Sequence, residues 1–119
     1  MKFYQYPACS TCKKAKSWLT QQDLLESVEV IHIVDNPPSK DEIKQAWEKS
    51  GLDLKKFFNT SGKSYRELNL KDTYKGLTDD ERLDLLAKDG KLIKRPLLIT
   101  EDTALVGFKE DQYKALFSK

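Results

Sequence analysis

The sequence predicts a mixed α/β fold: a β-α-β unit at the start, a β-β-α unit at the end, and a helical insertion between them. Three observations carry the prediction. Two apolar runs, Lys2–Tyr6 and Val28–Val34, flank a segment of helical periodicity. Near the other end, Arg95–Thr100 and Thr103–Val106 sit either side of the turn pair Glu101-Asp102, the signature of a hairpin, and a last helical pattern follows. Between the two units, Ser39 to Asp89 shows helix starts and stops but no strand pattern. The length of 119 residues suits one domain spanning residues 1–119, with the insertion at about residues 39–90.

Taken in order, the aromatic strand Lys2–Tyr6 ends at Pro7, which cannot donate to a ladder. A helix over Ser10–Gln21 follows, with Ala15, Trp18 and Leu19 on its buried face at i, i+3 and i+4 spacing. Cys12, three residues before Ala15, shares that face. Val28–Val34 then forms a second strand, parallel to the first through a right-handed crossover. His32 lies out of phase with Ile31 and Ile33 there and reads as a surface or packing residue. Asp35-Asn36-Pro37-Pro38 breaks this strand. Ser39 with Glu42 forms a capping box opening a helix to Ser50, and Gly51 stops it. Short helical pieces are predicted over Leu52–Phe58 and Tyr65–Leu70. A second capping box, Thr78 with Glu81, opens a helix to about Lys88 with Leu83, Leu86 and Ala87 inward. After the hairpin, Phe108–Phe117 reads as a helix with Tyr113, Leu116 and Phe117 on its apolar side.

Both cysteines of the chain, Cys9 and Cys12, lie at the junction of the first strand and helix. A CxxC in that setting is the layout of a thiol–disulfide redox site. Cys9 falls at or just before the first helical turn, where unpaired N–H groups and the helix dipole favour negative charge on sulfur. Lys13, Lys14 and Lys16 add positive charge to the same helix. Cys12, about a turn deeper, is placed to attack a mixed disulfide on Cys9. A structural zinc wants four ligands, and two cysteines with the single His32 do not supply them.

Composition excludes several classes. The net charge is +2 with 34% charged residues, and no basic run exceeds two residues, so nothing calls for direct nucleic-acid contact. Met1-Lys2-Phe3-Tyr4-Gln5 is too polar for a secretory leader, and no apolar stretch approaches the ~20 residues of a membrane span. These features predict a cytoplasmic location, where a lone cysteine pair is more often catalytic or sensing than structural; a monomer is the default expectation, with nothing in the sequence that fixes it.

The element order, with CxxC after the first strand and a proline opening the third, is the thioredoxin-like plan with extra helices inserted before the third strand. In that plan the Arg95–Pro96 bond is cis, faces the cysteine pair and offers backbone edges to an extended substrate. The words Tyr6-Pro7-Ala8-Cys9-Ser10-Thr11-Cys12-Lys13-Lys14-Ala15, Phe58-Asn59-Thr60-Ser61-Gly62, Tyr65-Arg66-Glu67-Leu68, Lys94-Arg95-Pro96-Leu97 and Gly107-Phe108-Lys109-Glu110 span nearly the whole chain. Together they resemble the arsenate reductase-like proteins, a family that includes the Spx-type transcription regulators.

The resemblance implies that Cys9 is the nucleophile, Cys12 the resolving thiol, and Arg95 an oxyanion-holding group whose planar guanidinium suits arsenate or a glutathione carboxylate. It also implies that Pro96, Ser10, Thr11, Lys13 and Lys109 surround the substrate. The implied reductant is external: glutathione with glutaredoxin, or thioredoxin. The family's reductases use three arginines. Here only Arg66, Arg82 and Arg95 exist, the middle loop reads Asn59-Thr60-Ser61-Gly62, and Lys63 and Lys109 could replace the missing forks only as point charges. The second cysteine, Cys12, matches the Spx-type branch, in which the pair is a redox switch and the partner is RNA polymerase through its α subunit. The implied function is therefore a thiol–disulfide oxidoreductase acting on a small oxyanion or a disulfide, or alternatively a redox-switched regulator.

Overall fold

A computed structural model describes residues 1–118 of the chain. Four strands form one sheet: β1 (Lys2–Gln5), β2 (Glu29–His32), β3 (Leu97–Ile99) and β4 (Ala104–Val106). Their order across the sheet is β2-β1-β3-β4. The pair β1 and β2 is parallel, in register Phe3 with Val30, and encloses α1 (Ser10–Gln21), the expected β-α-β unit. The other pairs, β1 with β3 and β3 with β4, are antiparallel. Four helices lie between β2 and β3: α2 (Lys40–Ser50), α3 (Lys63–Glu67), α4 (Leu70–Thr73) and α5 (Asp79–Lys88); α6 (Glu110–Phe117) closes the chain.

Side-chain alternation along the strands gives the sheet two apolar faces. Phe3 and Leu98 point to one side, where Ala15, Trp18 and Leu19 of α1 and Tyr113 of α6 pack on them. Tyr4, Leu97 and Ile99 point to the other, into a larger core with Ile43 and Ala46 of α2 and Leu83 and Leu86 of α5. Covered on both faces, β3 is buried at all three positions, which is why its sequence is a continuous apolar run rather than an alternating one.

Several expected elements differ in detail: the pieces expected over Leu52–Phe58 and Tyr65–Leu70 are a 3₁₀ turn at Leu54–Phe57 and the separate helices α3 and α4, and two further differences have a visible cause. The second strand stops at His32 rather than Val34. His32 Nδ1 accepts the backbone N–H groups of Val34 and Asp35 at 3.3 and 3.2 Å, and Asn36 N–H closes a turn onto the His32 carbonyl at 2.9 Å. A side chain that captures the next two donors pulls the chain out of the ladder. The Ser39–Glu42 box forms only in half. Ser39 Oγ accepts from Glu42 N–H at 3.1 Å, but the Glu42 carboxylate reaches away to Lys2 Nζ, at 2.8 Å, and to the Tyr4 hydroxyl. A cation and a phenol offered by β1 outcompete one backbone N–H at a solvated helix start. The Thr78–Glu81 box is complete in both directions, at 3.1 and 2.9 Å.

Close contacts fix the insertion on the sheet. Gly90, just past α5, lies so near the end of β2 that a Cβ there would stand 2.1 Å from the Ile33 carbonyl oxygen. Residues 57–59 pair with residues 92–94 around a bridge between Phe58 and Ile93, with Lys94 N–H donating to Phe57 O at 2.8 Å and Asn59 N–H to Leu92 O at 2.8 Å. This clamp holds the backbone immediately before Arg95. Among the described residues, no helix is long and apolar enough to cross a membrane.

Candidate active site

Cys9 is the N-cap of α1. Its backbone is extended, and its sulfur accepts the Cys12 N–H at 3.4 Å, the bond a serine or aspartate makes at other helix starts. Pro7 and Ala8 before it are exposed, and Cys9 itself is half-buried. Cys12 is only 1% exposed, because it lies on the helix face that carries Ala15 and Leu19 into the core. Its sulfur accepts the Tyr6 N–H at 3.5 Å. Both cysteines are free thiols.

The two sulfurs feel different surroundings. Burial pushes the Cys9 thiol up, but it is outweighed by hydrogen bonds from the Cys12 side chain and backbone and by the Arg95 guanidinium, so Cys9 ends below the ordinary thiol value. Burial pushes Cys12 up to about 12, with the hydrogen bond and negative charge of Cys9 adding to it. One thiol is thus prepared to ionise and its neighbour to stay protonated.

Arg95 is the cation that acts on the Cys9 sulfur, rather than the helix-borne Lys13, Lys14 and Lys16. Its guanidinium stands over the Tyr6 ring, 5.1 Å from the centroid, and donates from Nη1 to the Lys91 carbonyl at 3.2 Å. Its Nε is buried and without a hydrogen-bond partner. The Arg95–Pro96 peptide bond is cis, and Pro96 is buried where β3 begins beside β1.

The remaining sequence-nominated residues spread around this centre. Ser10 is exposed on the first turn of α1, and Thr11 is half-buried beside it. Lys13 lines a shallow cavity of about 470 Å³ with Trp18 and Phe108, on the α6 side of α1. Lys109 lines a separate cavity of about 800 Å³ along β4. Lys63 pairs loosely with Glu67 at 3.7 Å, fully at the surface.

Sequence reasoning gave Tyr6 no role beyond a motif letter, yet it serves the centre twice. Its N–H meets the Cys12 sulfur, and its ring lies under Arg95 while meeting His32 edge-on, with centroids 5.6 Å apart. The available signal was an aromatic residue directly before Pro7 at the end of a strand, which fixes both backbone and ring. Among the described residues, no group of three or more His, Cys, Asp or Glu is placed to hold a metal ion.

Comparison with known proteins identifies the family and the fold. The family model described as "ArsC family" matches residues 4–116. The uncharacterised protein YusI of Bacillus subtilis is 57% identical over 112 residues, covering 94% of this chain and 93% of its own. The global transcriptional regulator Spx of Lactiplantibacillus plantarum is 28% identical over 111 residues, covering 93% and 81%. The solution structure of SACOL0876 from Staphylococcus aureus superposes with a TM-score of 0.85 at 48% identity, covering 96% and 95%.

Proposed function

The chain belongs to the ArsC family, and on that premise we propose that it is a thiol–disulfide oxidoreductase with Cys9 as nucleophile, Cys12 as resolving thiol and Arg95 as the group that activates the one and orients the substrate. The observation that carries this reading is the asymmetry of the pair. Cys9 is a partly open helix cap held below the ordinary thiol value by the hydrogen bonds from Cys12 and, beside them, by Arg95, while Cys12 is buried beneath it with its proton retained.

On a disulfide substrate the steps balance as follows. The Cys9 thiolate attacks one substrate sulfur, a mixed disulfide forms, and the other substrate sulfur leaves as thiolate. With Cys9 now neutral, its charge no longer adds to the burial that holds the Cys12 proton. Cys12 gives that proton to the departing thiolate and attacks Cys9, releasing the second substrate sulfur as a thiolate that water protonates. Two electrons have passed to the substrate and a Cys9–Cys12 disulfide remains, which an external dithiol such as thioredoxin, or glutathione with glutaredoxin, reduces. In this reading Pro96, Ser10 and Thr11 contact the substrate at the sulfur, whereas Lys13 and Lys109 line separate cavities that do not include Cys9 and take no part in the step. The chemistry calls for a reducing compartment, the cytoplasm.

The test is turnover of the purified protein with thioredoxin or glutaredoxin as reductant, on arsenate and on disulfide substrates. Turnover on a disulfide that is lost in Cys9→Ser supports the reading. No turnover on any substrate, with Cys9 titrating like a free thiol, refutes it.

One observation favours a second reading. Cys12 completes a switchable pair, and relatives matched over most of their length are named a global transcriptional regulator, Spx, and a regulatory protein, MgsR. In that reading the Cys9–Cys12 redox state governs binding to RNA polymerase. A pull-down against the polymerase α subunit, reduced and oxidised, decides it: absence of binding in both states removes the idea.

A further inference from the structure

The sheet has an open edge at β4, and a cavity of about 800 Å³ runs along it. Its wall includes Thr103, Ala104, Leu105 and Val106 in succession. Successive strand residues point to opposite faces, so a cavity touching all four follows the strand's edge rather than either face. The pairing register tells which backbone groups are free there. Thr100 N–H bonds Thr103 O, and Gly107 N–H bonds Pro96 O, each at 2.9 Å. In an antiparallel ladder this alternation turns Leu105 toward β3 and leaves the N–H and C=O of Ala104 and Val106 facing outward. Neither residue's backbone has a partner on that side among the described residues.

The opposite rim is basic. Lys55, Lys56, Lys94 and Lys109 all line the cavity, all are exposed, and none is among the ion pairs of the described residues. The one carboxylate lining it, Asp53, accepts Lys55 N–H at 3.0 Å at the start of the 3₁₀ turn Leu54–Phe57. Leu52 and Phe58 supply apolar floor.

We propose that this groove is a docking site for an extended, acidic segment of a partner protein, which adds to the sheet as a fifth strand beside β4. Main-chain bonds to Ala104 and Val106 supply the register, and the lysine rim selects acidic side chains. A second copy of this chain is a poor occupant, since edge-to-edge pairing would bring the same lysines together. The proposal uses none of the thiol chemistry and stands or falls independently of it.

The test uses the full chain, 15N-labelled, with a decapeptide of alternating glutamate and valine as probe and the lysine–valine peptide as control. The expected result is saturable binding of the acidic peptide alone. The Ala104 and Val106 amides should exchange at least tenfold more slowly in its presence, and the double variant Lys56→Glu/Lys94→Glu should weaken binding at least tenfold while leaving the spectrum folded. Four results would overturn the proposal: no saturable binding; equal binding of the lysine peptide; binding without slowed exchange at Ala104 and Val106; or a single-stranded oligonucleotide outcompeting the peptide for these lysines. Protection of those amides by self-association in the absence of peptide would overturn it too, in favour of a dimer edge.

Discussion

Replacing Cys9 by serine leaves Cys12 as the sole thiol and makes the asymmetry of the pair measurable. A thiol at about 12, as Cys12 stands in the intact pair, is ionised at pH 7 to about one part in 10⁵, against about 3% for an ordinary thiol near 8.5. The more basic thiolate is the better nucleophile, and a Brønsted slope of about 0.45 returns roughly 1.6 of those 3.5 logarithmic units. The net expectation is alkylation about a hundredfold slower than free cysteine. The substitution removes the charge of Cys9 but not the burial that is the larger cause, so the lag in Cys9→Ser lies between about tenfold and a hundredfold, with the 1% exposure of Cys12 slowing the reagent further. The assay is iodoacetamide labelling of reduced protein at pH 7, followed by intact mass, with the modified position read from peptides. In the wild type the first label should fall on Cys9. Labelling of Cys12 as fast as free cysteine in Cys9→Ser, or before Cys9 in the wild type, would refute the reasoning.

Other consequences follow from the same contacts. Arg95→Ala should slow Cys9 alkylation near pH 6.5 severalfold, since the guanidinium is one of the groups that hold this thiol below its ordinary range while the hydrogen bonds from Cys12 remain; the pH profile should move upward, and an unchanged profile contradicts the assignment. Glu42→Gln should cost about 1–2 kcal/mol in a urea melt through the bond from the Tyr4 hydroxyl to a charged carboxylate, the solvent-exposed Lys2 contact being left out of that figure. Burial raises the Glu42 carboxyl, but Lys2 and Tyr4 outweigh it and hold it below the ordinary range. Its contribution is therefore present above that range and lost as pH falls through its folded value, so wild type and variant should converge in acid. Gly90→Ala drives a methyl to within 2.1 Å of Ile33 O and should cost about 1–3 kcal/mol or prevent folding, read by thermal melting. Thr78→Ala removes one arm of the complete capping box and should cost about 1 kcal/mol in the same melt.

The sequence by itself determined what depends on neighbours along the chain. The span of α1 and the position of Cys9 at its head follow from an apolar period and a preceding proline. The stop of α2 at Gly51 follows from its positive φ of +71, and the start of α5 from Thr78 with Glu81. The cis bond before Pro96 was legible only through resemblance to a fold plan. Tertiary structure decided what meets across the sheet. It chose Arg95 over the nearby lysines as the cation acting on the Cys9 sulfur, because the exposed lysines of α1 lie in water while the 57–59 clamp holds the chain before Arg95, just ahead of the start of β3. It diverted Glu42 from its cap to Lys2 and Tyr4, and set Tyr6 between Arg95 and His32. Helix caps and periodicity are short-range terms written into a few adjacent residues. The company each side chain keeps is fixed only once both faces of the sheet are covered and the chain has no other place to put its charges.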